Sequence, residues 1–382
     1  MEDVDQDLVA RASALTPLLA ANAERTEAER QVVPEVMSAI EDAGLFEVIV
    51  PERLGGLGAT MATQLAVAAE LGRGCASSAW VQSLLNITTW AASRGPAAGA
   101  IFGGDQRPRV CGVLAPTGTA TPEGDGYRVS GTWAFASGSF YATWFVGGVL
   151  VTDDAGEVTG AGVIAIPRQD FTIEDTWFVA GMCGTASGSV VAEDVLVPAG
   201  LFTPLDETDR PGGEAPSDRW PLGTALALVL TGPLLGAARA SADLVTEKAP
   251  KRAISYTGYG ATTDSMVAVS ELARAQLDIE TAWLHAFDVA AYLDGVGRGD
   301  ERDRLVEAKV RGQCGHLTAS LRGGVDTLLN VGGAGSFASA STLQRHWRDL
   351  NVGSRHAFLA TNISLETYGR ALFGLDPILL IV

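Results

Sequence analysis

Along the first hundred residues apolar side chains recur at intervals of three and four, the spacing of helices that bury one face. This pattern predicts a helix over residues 5–21, kinked at Pro17, and a second that begins at Pro34 in its first turn and closes at Gly44. An extended piece, residues 46–51, leads into the loop Glu52-Arg53-Leu54-Gly55-Gly56-Leu57-Gly58, and two further helices follow at 61–71 and 77–93. After Pro108 the texture changes. Short runs rich in Val, Thr, Phe and Trp (127–130, 144–152, 161–166, 189–197) alternate with Gly, Asp and Pro clusters as far as Pro204, which predicts an all-β insert. Residues 206–218 are polar and rich in Pro and Gly, the chemistry of a loop. Four long amphipathic stretches, 221–248, 265–293, 302–331 and 342–372, then predict a four-helix bundle. The expected division is a helical domain at 1–108, a β domain at 109–217 and a bundle at 218–382.

Composition narrows the function classes. A chain of 382 residues exceeds the usual size of one hydrophobic core. With 27 Lys and Arg against 45 Asp and Glu, the formal charge is −18, which argues against nucleic acid or an anionic membrane as partner. An apolar share of 47% with 45 glycines fits a well-buried chain with extensive subunit contacts. The acidic start lacks a signal-peptide pattern, and the charge-free runs are interrupted by Gly, Ser, Thr, Gln or Pro, so no bilayer span is expected. Cys75, Cys111, Cys183 and Cys314 lie far apart without a CxxC, so neither a zinc site nor a disulfide framework is expected, and a reduced cytoplasmic protein is the default. No HExxH or His/Cys cluster calls for a metal, and no GxSxG marks a hydrolase nucleophile. Gly295-Val296-Gly297-Arg298-Gly299 has the wrong spacing and setting for a dinucleotide fingerprint.

The order of helical, β and bundle segments carries several short words. Val50-Pro51-Glu52-Arg53-Leu54-Gly55-Gly56 resembles a VPxxxGG turn, and Gly131-Thr132-Trp133-Ala134-Phe135-Ala136-Ser137-Gly138 resembles a strand that lies against a flavin ring. Glu193-Asp194-Val195-Leu196-Val197-Pro198 matches EDVxVP, and Gly332-Gly333-Ala334-Gly335 followed by Arg348-Asp349 is similar to a GGxG…RD segment. In this order the words resemble the acyl-CoA dehydrogenase superfamily over essentially the whole chain. That resemblance implies a mainly α fold with a β-barrel-like middle domain between an N-terminal helical domain and a C-terminal four-helix bundle.

The dehydrogenases of that superfamily need a carboxylate to remove a proton from Cα of a thioester, commonly a few residues after the RD pair. Residues 350–357 contain no Asp or Glu, and His356 stands there instead. With Ser78-Ala79-Trp80-Val81 and Tyr368-Gly369-Arg370-Ala371-Leu372-Phe373-Gly374, this is similar to the reduced-flavin-dependent two-component monooxygenases that share the fold. The resemblance implies an oxygenase component that takes FADH2 or FMNH2 from a separate NAD(P)H-dependent flavin reductase. It reacts that flavin with O2 to a C4a-hydroperoxide and hydroxylates a small molecule. It also implies a homotetramer, a dimer of dimers. An acyl-CoA dehydrogenase-like desaturase with its carboxylate elsewhere is the alternative.

On that reading Trp133, Phe135 and Trp177 wall the flavin ring, Ser137 holds N5 or O4, and Ser187 contacts phosphate or ribose. Arg252, Gly332 and Gly333 serve the cofactor's far end, and Trp80, Leu84 and Thr88 line the substrate pocket. His356 acts as base or acid on a bundle helix, its ordinary pKa of about 6.5 suiting either role. Each has a plainer alternative: a satisfied core histidine, turn chemistry at Ser137, a solvated helix end at Arg252. Asn351, Thr88 and Cys183 replace a His, a second His and an Arg found in some monooxygenases of this branch. Phenol, indole, polyketide-like and amine substrates therefore stand equal.

Overall fold

The computed structural model describes residues 4–104, 107–153, 155–211, 213–376 and 378. The N-terminal part holds α1 (Gln6–Glu29), α2 (Pro34–Asp42), α3 (Met61–Gly74), α4 (Ala76–Ala92) and the short α5 (Ala98–Phe102). The Asp5 carboxylate caps α1 by accepting the amides of Asp7 and Leu8, and the helix runs well beyond residue 21 because Ala23 and Thr26 continue its buried stripe. Residues 46–51 join no strand. Their carbonyls instead accept the amides of Leu57, Gly58 and Ala59 from the loop that follows.

Seven strands form one mixed sheet: β1 (Val110–Glu123), β2 (Gly126–Trp133), β3 (Trp144–Thr152), β4 (Val158–Pro167), β5 (Thr172–Glu174), β6 (Ser189–Pro198) and β7 (Phe202–Pro204). The order is β5-β6-β2-β1-β3-β4-β7, and among the described residues the β1/β3 pair alone runs parallel. Three glycines clear space for one indole in this sheet: a Cβ on Gly118, Gly131 or Gly147 would lie 2.2, 2.7 or 2.9 Å from the Trp133 ring. Trp133 has no exposed surface, and its Nε1–H donates to the Gly148 carbonyl at 2.7 Å. This corrects the expectation that Trp133 walls a flavin. Strand alternation turns its side chain into the sheet's core.

The C-terminal part comprises α6 (Leu222–Val229), α7 (Thr231–Lys248), α8 (Met266–Arg298), α9 (Arg304–Gly332), α10 (Thr342–Gly353) and α11 (Thr361–Leu372). Two predicted helices are thus divided. At Leu230 the break follows from Pro233, which has no amide for the carbonyl four residues back, and from the Thr231 hydroxyl, which takes the Leu228 carbonyl at 2.7 Å. After Gly353 the Phe358 amide turns to the His356 ring, so the helix is not propagated. His356 consequently lies in the connection between α10 and α11, not on a bundle helix.

The three parts share a continuous buried core that runs from α1 to Leu359. Helices α3 and α7 touch backbone to backbone, since a Cβ on Gly236 would sit 2.0 Å from the Ala69 carbonyl oxygen. Asp294 of α8 accepts the amides of Met61 and Ala62 at 2.8 and 3.1 Å, capping α3 from across the core. The stretch Leu222–Lys251 is apolar enough to cross a membrane by composition, yet most of it is buried inside the protein. On α8 the opposite holds: Met266, Val267, Leu277 and Leu284 are 63–73% exposed.

Candidate active site

Beyond Trp133 the chain leaves β2 with Phe135 at φ +68°, and the facing segment holds Met182 and Ala186 at +55° and +48°. Left-handed backbone at non-glycine residues costs on the order of 1–3 kcal/mol each and collects where surroundings impose it, commonly at functional sites. Here it projects the Phe135 ring outward, 69% exposed, edge-on to Trp177 at 5.9 Å between centroids. Trp177 is fixed in turn, its Nε1–H donating to the Met182 carbonyl at 3.0 Å. Arg30, the residue that ends α1, pairs with Asp175 and donates to the Trp177 carbonyl at 3.2 Å.

Under these rings runs a buried chain of hydroxyls. Trp80 Nε1 lies 3.3 Å from Ser137 Oγ, Ser137 Oγ 2.6 Å from Ser187 Oγ, Ser187 Oγ 2.7 Å from Thr185 Oγ1, and Thr185 Oγ1 2.8 Å from the Met182 carbonyl. The indole can only donate and the carbonyl can only accept, so the two ends fix every proton between them. Ser137 donates to Ser187, and Ser187 donates to Thr185. Ser137 accepts from Trp80 and keeps one lone pair free. The structure therefore presents a hydrogen-bond acceptor at Ser137, not a donor.

The segment carrying Met182 is clamped to α10 by the Arg348-Asp349 pair. Asp349 Oδ1 accepts the Met182 amide at 2.5 Å, and Arg348 donates to the Ala180 carbonyl at 2.6 Å while pairing with Glu27 of α1. Gly181 is required by the close approach: a Cβ there would lie 2.3 Å from the Arg348 carbonyl oxygen. Burial pushes the Asp349 carboxyl up to about 6. Its oxygen is already spent on a backbone amide, so it is poorly placed to serve as a Cα–H base.

His356 meets Trp80 edge-on at 5.8 Å and stacks on Phe358 at 5.9 Å. Burial, aided by the nearby Arg311 guanidinium, lowers its pKa to about 4, so the ring is neutral at physiological pH. Trp80 thus links the hydroxyl chain to His356. Of the other expected pocket residues, Thr88 turns its hydroxyl onto the Leu84 carbonyl at 2.5 Å and its methyl against Gly112 of β1. Leu84 packs against the core.

Arg252, Gly332 and Gly333 come together elsewhere. Arg252 and Gly332 line a cleft of about 240 Å³ where the ends of α7 and α9 converge, together with Lys248, Thr262 and Ser336, and Gly333 lies beside Arg252. Gly333 adopts φ +62°, and a Cβ there would lie 2.6 Å from an Arg252 nitrogen. Arg252 donates to the Val331 carbonyl at 3.0 Å. None of the cleft's lining residues belongs to the Ser137 cluster.

Residues 9–94 match the acyl-CoA dehydrogenase N-terminal domain and residues 228–361 the acyl-CoA dehydrogenase C-terminal domain. The oxygenase subunit HsaA of a flavin-dependent monooxygenase from Rhodococcus jostii is 31% identical over 96% of this chain and 98% of its own. The oxygenase component of an FADH2-dependent resorcinol hydroxylase from a Rhizobium species is 30% identical over 97% and 95%. The structure of XiaF from a Streptomyces species, in complex with FADH2 and glycerol, superposes with a TM-score of 0.94 at 32% identity, covering 98% of this chain and 96% of that one. The chain belongs to the flavin-dependent monooxygenases of the acyl-CoA dehydrogenase fold. It is an enzyme of that family's oxygenase type.

Within this monooxygenase, sequence reasoning named Ser137, Ser187, Trp80 and His356, which lie within one network of contacts. It missed the part played by Thr185, which ends the hydroxyl chain, and by Arg311. Thr185 stands two residues before Ser187, the one signal the chain offers for it. Arg311 had none, being one arginine among several on an amphipathic helix.

Proposed function

We propose that this chain is the oxygenase component of a two-component monooxygenase that hydroxylates a small aromatic substrate with reduced FAD or FMN and O2. A separate NAD(P)H-dependent reductase supplies the reduced flavin. The observation that carries this reading is the free lone pair on Ser137: reduced flavin carries a proton on N5 and oxidised flavin does not, so an acceptor there suits the reduced ring. When bound, the flavin supplies the activated oxygen. The exposed Phe135 ring and the half-buried Trp177 ring would shield a bound flavin from water, while the hydroxyl chain holds Ser137 in one orientation. His356, neutral and packed on Trp80, exchanges a hydrogen bond with the substrate's reacting edge.

The cleft with Lys248 and Arg252 is cationic and glycine-lined, which fits a flavin's phosphate end. Because it shares no residue with the Ser137 cluster, the far end of one flavin is assigned to the cleft of a neighbouring copy. The exposed apolar row on α8 supports subunit contact in a tetramer, a dimer of dimers. Phenols, indoles, polyketide-like aromatics and amines are the candidate substrate classes. The relatives named above include a resorcinol hydroxylase, which favours phenols.

The test supplies purified enzyme with a generic flavin reductase, NADH, air and a panel of these compounds. Mass gain of one oxygen on a panel member supports the reading. Failure of the protein to bind reduced flavin anaerobically, together with no oxygen gain, overturns it.

A further inference from the structure

Helix α9 carries Arg311 against the connection between α10 and α11. Its side chain is buried, with the residue only 7% exposed, and it forms no ion pair among the described residues. Nη2 donates to the Ala357 carbonyl at 3.1 Å, the guanidinium carbon lies 4.9 Å from the centre of the Phe358 ring, and Nε has no partner. Removing a guanidinium from water without a counter-charge is costly, and a fold seldom retains one for packing alone. Two other cations border the same connection and likewise form no ion pair among the described residues: Arg322 of α9 reaches Ser354 at 2.8 Å, and Arg355 reaches Asn351.

What Arg311 grips is informative. The Ala357 carbonyl and the Phe358 amide are the two ends of a single peptide group. That amide donates to His356 Nδ1 at 3.2 Å. A backbone N–H can only donate, so Nδ1 must accept, and the neutral ring must carry its proton on Nε2. A cation on the carbonyl end polarises the peptide and strengthens the donor at its other end.

We infer that Arg311 is a positioning residue which acts through the Ala357–Phe358 peptide to hold His356 in one orientation with its proton on Nε2. His356 then offers the substrate a donor, and its lone pair is already in use. The site favours a substrate that presents an acceptor oxygen, a phenolate above all, over one whose proton must be removed by the imidazole. The groups facing His356 are Trp80 from α4, Phe358 from the connection and Arg311 from α9, and Arg311 is the charged one among them. This substrate preference rests on the reading of His356 as the residue that meets the substrate. The relay itself does not.

The experiment is solid-state 15N spectroscopy of the histidine-labelled, flavin-loaded enzyme, in which His356→Ala assigns one of the four histidines by difference. In the wild-type enzyme at neutral pH the expected spectrum shows a protonated Nε2 and a bare Nδ1. In Arg311→Met the proton redistributes to Nδ1 in part, the imidazolium appears at higher pH, and product formed per NADH falls about tenfold. Arg311→Lys, which keeps the charge, restores the wild-type titration in part. A wild-type spectrum with the proton on Nδ1, or an Arg311→Met spectrum and titration identical to wild type, overturns the proposal. Should Arg311→Met not fold, the wild-type and Arg311→Lys spectra still decide it. An Nε2 proton in wild type alongside a fully active His356→Ala supports the relay and removes the functional reading of His356.

Discussion

The Ser137 cluster and the Arg252 cleft are both flavin-directed surfaces by sequence, but they are built on opposite principles. Around Ser137 every hydroxyl proton is already committed inside a single chain: indole to serine, serine to serine, serine to threonine, threonine to a carbonyl. At the cleft, by contrast, Arg252 is exposed and its guanidinium donates to the Val331 carbonyl. On the proposed reading, the site that discriminates the protonation state of a ring is fixed before its ligand arrives, because unpaired buried groups would admit either form. A site that only holds a charged tail can remain open and solvated.

Substitutions break this contrast with decreasing force. His356→Ala should lower product formation by ~10²-fold or more while leaving flavin affinity unchanged, measured as oxygenated product per NADH consumed. Turnover equal to wild type would remove His356 from the chemistry. Ser137→Ala should strand the Trp80 N–H and remove the proton that Ser187 accepts, costing about 1–3 kcal/mol of stability by denaturant unfolding and diverting most reduced flavin to peroxide. A fully coupled Ser137→Ala enzyme would show that the acceptor is dispensable.

Asp349 sharpens the comparison through pH. Its folded pKa, about 6, lies above the unfolded value, so its protonated form is the one the fold favours. That contribution is complete below about pH 4 and is lost as pH rises through 6. Asp349→Asn, which keeps an acceptor for the Met182 amide, should flatten this dependence without loss of fold, whereas Asp349→Ala should cost about 1–3 kcal/mol in urea unfolding. The histidines act in the opposite sense. His356 and His346 are held down to about 4 and about 3 by burial, so their contribution is present above about pH 6.5 and lost as pH falls through those values. The smallest effect is expected at the open site. Arg252→Ala should weaken reduced-FAD binding severalfold and increase its salt insensitivity, with no change in melting temperature, since the side chain is solvated.

Much of this was legible in the chain. The helical, β and helical textures located the three regions because helix and strand periodicities differ, and the local words carried Ser137 and His356. The errors share one cause. Trp133 sits in the same word as Phe135, yet strand alternation and three facing glycines bury the first, while a left-handed backbone exposes the second. The helix predicted over 342–372 ignored a side chain competing for a backbone amide, and that competition is what places His356 in a connection. Arg311 was invisible because its partner is a carbonyl 46 residues away, and no periodicity encodes such a contact.

By itself the sequence determined the architecture and the family of chemistry, since both follow from patterns repeated over many residues and tolerant of any single one. Direction was decided only by tertiary structure: which way each hydroxyl points, which nitrogen of His356 holds the proton, which aromatic ring faces outward. Those choices depend on donors and acceptors that meet across long stretches of chain, and a hydrogen bond is settled by what stands at its other end.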